Sequence, residues 1–83
     1  MKEKEVGKIT HFYDHIGVGV VKVTDKLSVG DKIHIKGHTT DFEQEVASMQ
    51  LEHASLKEAK KGHDVGLKVD QEVREHDIVY KVV

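Results

Sequence analysis

The chain has no cysteine, no proline and no tryptophan, and its aromatic set is limited to Phe12, Tyr13, Phe42 and Tyr80. Without cysteine there is no disulfide framework to staple a small fold, and no histidine–cysteine zinc spacing. Without proline the chain lacks one of the usual devices for blunting an exposed strand edge, which favours a sheet that closes on itself. No stretch approaches the roughly 20 apolar residues that a membrane helix needs. The opening Met-Lys-Glu-Lys-Glu has no apolar run behind it, so it does not read as a secretory signal. The expectation is a cytoplasmic chain with no membrane partner. Also missing is any G-x-x-x-x-G-K-[ST] loop, so GTP is not expected to bind.

What is present describes a small domain. The 83 residues read as one unit, 1–83, with its core over about 5–82 and residues 1–4 frayed. At this size the buried fraction is modest, and with 37% apolar residues nearly every one is needed as filling. That argues against a large ligand cavity. Charged residues make up 34% of the chain, yet the formal net charge is only −2. The balance opposes disorder, which combines low hydrophobicity with high net charge. It also removes the basic excess that drives non-specific nucleic-acid binding. Seven histidines soften this sign: protonating all of them takes the formal charge to +5.

Apolar residues recur with period two almost throughout, the signature of strands. Six runs stand out: Val6 to Tyr13, Ile16 to Val23, Lys32 to Lys36, Phe42 to Leu51, Asp64 to Val69 and Asp77 to Val82. In the second, valines fall on both parities, at 18, 20, 21 and 23. The third is the cleanest, with Ile33 and Ile35 on one side and Lys32, His34 and Lys36 on the other. In the fourth the phase slips between Val46 and Met49, which reads as a β-bulge. Helix formers between Ser48 and Lys61 allow at most one helical turn, near Leu56 to Lys60. Turn residues separate the runs, notably Val29-Gly30-Asp31 and Lys61-Gly62-His63-Asp64. The expected core is Val18, Val20, Ile33, Ile35, Val65, Leu67 and Ile78. Short strands with regular turn signals predict an all-β fold, a small closed antiparallel barrel of six or seven strands.

At Leu27-Ser28-Val29-Gly30-Asp31-Lys32-Ile33-His34-Ile35 the chain resembles the V-G-D-x-V-x-I hairpin in the second domain of elongation factor Tu and its relatives. Gly7-Lys8-Ile9, Val46-Ala47-Ser48-Met49, Ala59 to Leu67 and Asp77-Ile78-Val79 resemble further family segments in the same order. The resemblance spans about residues 5 to 82 and implies a barrel of the translation-factor domain 2 type. Two features depart from it. His63 splits the family's G-D pair, and Asp77 to Val82 ends without Arg-Gly. In that ending the chain is similar to the C-terminal barrel of collagenase-like peptidases and to free-standing elongation-factor-like proteins. The tRNA cleft of the factors is shared with a GTPase domain, so only scaffold residues carry over, and no tRNA contact.

Candidate chemistry is sparse. The histidines at 11, 15, 34, 38, 53, 63 and 76 have no ligand spacing, and no metal site or cofactor is expected. Ser28, Ser48 and Ser55 lie in no nucleophile motif, so no catalytic residue is assigned and no enzyme is expected. The one charged feature is a basic strip of Lys32, His34 and Lys36, which Lys22 on the preceding strand is expected to join. It reads either as a solvated face or as a phosphate-tracking surface. The leading expectation is a non-catalytic binding module that contacts RNA, a ribosomal component or an RNA-handling protein through Lys22, Lys32, His34 and Lys36. The alternative is a protein–protein interaction domain akin to the accessory barrel of collagenase-like peptidases.

Overall fold

The computed structural model describes residues 2–52 and 54–83. The described residues form strands and turns only: β1 Glu3–Tyr13, β2 Val18–Val23, β3 Leu27–Ser28, β4 Lys32–Lys36, β5 Asp41–Glu45, β6 Met49–Leu51, β7 Ala54–Leu56, β8 Glu58–Ala59, β9 Asp64–Lys68 and β10 Ile78–Val82. No helix among them is long and apolar enough to cross a membrane. The all-β expectation therefore holds, and the strand pairings among the described residues are antiparallel.

Closure is corrected. Eight strands form one sheet in the order β5-β4-β10-β1-β2-β9-β6-β7, with β3 and β8 a separate pair. Among the described residues no ladder of backbone bonds joins the end strands β5 and β7. A side chain makes a link across the curl instead. Gln44 of β5, buried to 7% exposure, donates from Nε2 to the Lys68 carbonyl at 2.9 Å and accepts at Oε1 from the Asp70 amide at 2.8 Å. One amide group thus serves both a backbone acceptor and a backbone donor at the end of β9.

β1 is the strand on which the curl depends. It pairs with β10 on one side and β2 on the other, and its register shifts twice, between Glu5 and Gly7 and between Ile9 and His11. At the first shift Val6 and Gly7 are both buried, the two-against-one arrangement of a bulge, which sharpens the local bend. Gly7 is obligatory there, because a Cβ would meet Val21 Cγ1 at 2.5 Å. The frayed start is corrected as well. Glu3 and Lys4 pair with Val82 and Lys81, and Lys4 Nζ lies 2.7 Å from Asp25; Met1 is outside the described residues.

The parity of two strands is corrected with it. Ile33, Ile35, Val65 and Leu67 are fully buried, as expected. Val18, Val20 and Ile78 are only half-buried, while Val21, Val23 and Val79 take the interior places. With valine on both parities, local pattern cannot choose. The choice is made by register: Val21 lies opposite both Ile9 and Val65, themselves fully buried. The slip near Val46 is a strand break rather than a bulge. β5 stops at Glu45, and β6 goes on to pair with β9. The segment 56–60, expected to hold at most one helical turn, is extended, because Ala59 pairs with Leu27 and both are buried. Tertiary pairing overrides helix propensity there.

Two turns match their sequence signals. Gly30 takes φ 94° and Gly62 takes φ 95°, and the Asp31 carboxylate accepts from the Ser28 amide at 2.8 Å. His63, the residue inserted into the turn, is used as backbone: its carbonyl accepts from Val23 at 2.8 Å, prolonging the β2–β9 pairing.

Truncating Ile33 to alanine should cost about 2–5 kcal/mol. Gln44→Leu should cost about 1–3 kcal/mol by removing two part-buried hydrogen bonds, to the Lys68 carbonyl and from the Asp70 amide. Chemical denaturation checks both, and a Gln44→Leu midpoint equal to wild type would show that the amide bridge contributes nothing.

Candidate functional site

Residues in register across an antiparallel sheet share a face, so the outer surface can be read strand by strand. One row runs Asp41, Lys36, Ile78, Lys8, Lys22, Asp64, across β5, β4, β10, β1, β2 and β9. Lys36 and Lys22 therefore do lie on one line, but two strands separate β4 from β2, and Lys8 fills the interval. Lys8 was not singled out in the sequence because its link to Lys36 runs through β10, at the other end of the chain. Carboxylates bound the row at both ends.

The next row holds Glu43, His34, Tyr80 and Glu5. His34 sits between two acids: Nδ1 is 2.5 Å from Glu3, and Nε2 is hydrogen-bonded to Asp41. Its side chain retains 14% exposure. Lys32 Nζ lies 3.3 Å from Glu43. The structure thus brings Lys32, His34 and Lys36 to one face, interleaved with Glu3, Asp41 and Glu43. The result is a mixed-charge surface, not a continuous basic strip. Glu3, His34 and Glu43 also bring ligand-type atoms within 4.8 Å of one another. Here those atoms already have partners: both ring nitrogens face carboxylates, and Glu43 faces Lys32.

The ring is held above its ordinary 6.5, chiefly by the hydrogen bond to Asp41 and then by that to Glu3. Asp41 is held below its ordinary 3.8 by the same bond, with Lys36 nearby adding a little. The other histidines are dispersed. His11 is 3.7 Å from Glu75 and packs its ring against Tyr13 at 4.4 Å between centroids. His15 is 3.7 Å from Asp14, and His53 lies outside the described residues.

A second feature occupies the other end of the outer face. Val18 and Val20 project outward beside Gly66, which lies in register with Val20 on one side and Gln50 on the other. Because Gly66 has no side chain, the surface dips there into a groove of about 300 Å³. Tyr13 and Ile16, 49% and 60% exposed, form part of its lining. Glu52 and Asp64 also line it, and among the described residues no lysine or arginine does. The sequence contains a signal for this groove, the valines on both parities of β2.

No protein-family model matches the chain. Among curated proteins it is 42% identical over 77 residues to an uncharacterized protease of Methanocaldococcus jannaschii, and 31% identical over 78 residues to a collagenase of Porphyromonas gingivalis. Each match covers 92% of this chain but only 19% and 22% of the respective relatives, so the chain spans about a fifth of their length. Among solved structures it matches the C-terminal domain of a "putative U32 peptidase" from Geobacillus thermoleovorans with a TM-score of 0.90 at 18% identity, covering 96% of this chain and 93% of that one. The selenomethionine form of that domain gives 0.87. The likeness is thus to peptidase C-terminal domains. The resemblance to elongation factor Tu finds no support in these matches; its V-G-D-x-V-x-I segment describes a hairpin turn that serves this fold equally well.

The His34–Asp41 bond sets a pH window. A folded-state pKa raised at His34 contributes stability that is complete below 6.5 and lost as pH rises through the raised value. The lowered pKa of Asp41 contributes stability that is complete above 3.8 and lost as pH falls through the lowered value. The contribution of this pair to the melting temperature should therefore be greatest between about pH 4 and 6.5 and decline on the alkaline side. His34→Gln should remove the part of that decline due to this residue. The effect should be modest, since the Asp41 side chain is 68% exposed. Melting curves from about pH 4 to 9 check the window, and an NMR titration showing the His34 ring ionising below its ordinary value would overturn the assignment.

Proposed function

We propose that the chain is a non-catalytic protein-interaction module of the kind found as the C-terminal domain of U32-type peptidases, acting on or beside a larger protein that carries the chemistry. The observation that supports this reading is one of extent. Nearly the whole chain corresponds to about a fifth of proteins named as proteases, and nearly the whole fold to a C-terminal domain of such a protein. A domain of this kind contributes binding, and the residues here fit that role. The most organised polar cluster, around His34, is a set of satisfied ion pairs. No cofactor is required for such a role.

The charged surface favours a protein partner over a polyanion. A phosphate backbone needs uncompensated cations along its track. Here Lys32 faces Glu43, and His34 at the centre of the face is enclosed by Glu3 and Asp41.

Tagged chain used to capture partners from a lysate of the source cells should retain its main protein partner after ribonuclease treatment. That capture should also survive a rise in salt from about 50 to 200 mM, over which phosphate-driven binding falls steeply. Loss of all capture on ribonuclease treatment, with RNA in the bound fraction, would overturn the reading in favour of an RNA-binding module acting through Lys22, Lys32, His34 and Lys36.

A further inference from the structure

We infer that the groove beside Gly66 is the docking face, and that its occupant is an extended segment of a partner protein presenting an aliphatic side chain flanked by lysine or arginine. This rests on the protein-binding reading above and adds to it a face and a chemistry.

The apolar part of the argument starts from side chains that the core does not use. Val18 and Val20 are on the outer face, and the interior places of their strand are taken by Val21 and Val23. Ile16 is at a turn, where a polar residue would satisfy the backbone equally well, yet it is among the most exposed large apolar residues of the chain at 60%. The turn is well held: the Ile16 amide donates to the Tyr13 carbonyl at 3.3 Å, and Lys68 Nζ donates to the Ile16 carbonyl at 3.0 Å. Tyr13 is braced by the His11 ring. The apolar walls are thus set before binding, which lowers the ordering cost of association. Gly66 supplies the depth, since a Cβ there would stand 3.2 Å from Val18 Cγ1 and narrow the space.

The charge of the occupant follows from what faces it. Glu52 and Asp64 line the groove. Lys68 Nζ is bonded to the Ile16 carbonyl, and Lys22, although in register with Asp64, makes no ion pair within 4.0 Å among the described residues. Two unneutralised carboxylates beside an apolar surface favour a basic-flanked aliphatic segment and disfavour an acidic one. The volume, about 300 Å³, lies at the lower end of the range for ligand clefts, about 300–1,000 Å³, which suits side chains of a peptide rather than a large cofactor.

The test uses the ¹⁵N-labelled chain and two capped peptides, Lys-Val-Leu-Val-Lys and Glu-Val-Leu-Val-Glu. The basic peptide should shift the amide signals of Tyr13, Ile16, Val20 and Gly66, and the acidic one should bind about tenfold more weakly. Ile16→Ser, at an exposed position, should weaken the basic peptide, and Glu52→Lys with Asp64→Lys should reverse the preference. Equal response to both peptides, or shifts confined to another face, overturns the inference. So does concentration-dependent broadening of the same signals without peptide, which would make a second copy the occupant. Lysate capture that persists in the Ile16→Ser and charge-reversed variants would also overturn it while leaving the protein-binding reading intact. Capture lost from every form, wild type included, would instead overturn that reading.

Discussion

The structure depends on β1 bending twice while keeping two partners. An extended strand of eleven residues, Glu3–Tyr13, would hold its neighbours in a flat sheet. Its two register shifts instead turn the sheet around the side chains of Val6, Ile9 and Val79, which pack inside with Val21 and Ile35. While Ile9 stays in register with Val21 of β2, its backbone reaches on the other edge of β1 to the turn before β10: its amide donates to the Asp77 carbonyl at 2.7 Å, and its carbonyl accepts from the His76 amide at 2.8 Å. Asp77 is itself buried, caps the Arg74 amide, and lies so close to Gly37 that a Cβ there would fall 1.8 Å from its Oδ1. The bend of β1, the entry to β10 and the exit from β4 are thus one packed unit.

From that unit follows the division of the surface. Because β1 and β10 stand between β4 and β2, lysines that belong to separate hairpins in the sequence come into one row, with Lys8 as the link. The same arrangement brings Glu3 from the start of the chain onto His34, so the residue that looked like the middle of a basic strip is enclosed by acids. Electrostatic complementarity was satisfied within the chain there. It was left unsatisfied at the opposite end, where Glu52 and Asp64 line an apolar groove. Around Lys32 and His34 the charges are paired within the chain, whereas apolar walls with unmatched carboxylates discriminate among partners.

This division agrees with the likeness to domains that accompany peptidases. Such a domain needs a stable framework and one recognisable face. The framework is achieved with an open sheet joined across its curl by the Gln44 amide, and the face comes from the side of β2 that the core does not use.

The sequence by itself determined the all-β class, the Gly30-Asp31 and Gly62 turns, and the burial of Ile33, Ile35, Val65 and Leu67. In each case the cause is local: period-two alternation with one apolar parity, or a backbone angle that glycine adopts without strain. Where both parities were apolar, as in β2, or where a competing phase was available, as at Ile78 and Tyr80 against Val79, the pattern carried no decision. Only pairing with β1, β9 and β4 made it, because a strand's faces are set by what lies opposite. The open sheet, the acid neighbours of His34 and the apolar groove were likewise decided by tertiary structure. Each joins residues far apart in the chain, such as Glu3 with His34, Gln44 with Asp70, and Val20 with Gly66. Such contacts leave no periodic trace in the sequence, since the chain reversals that create them are set by bends in strands that look regular when read alone.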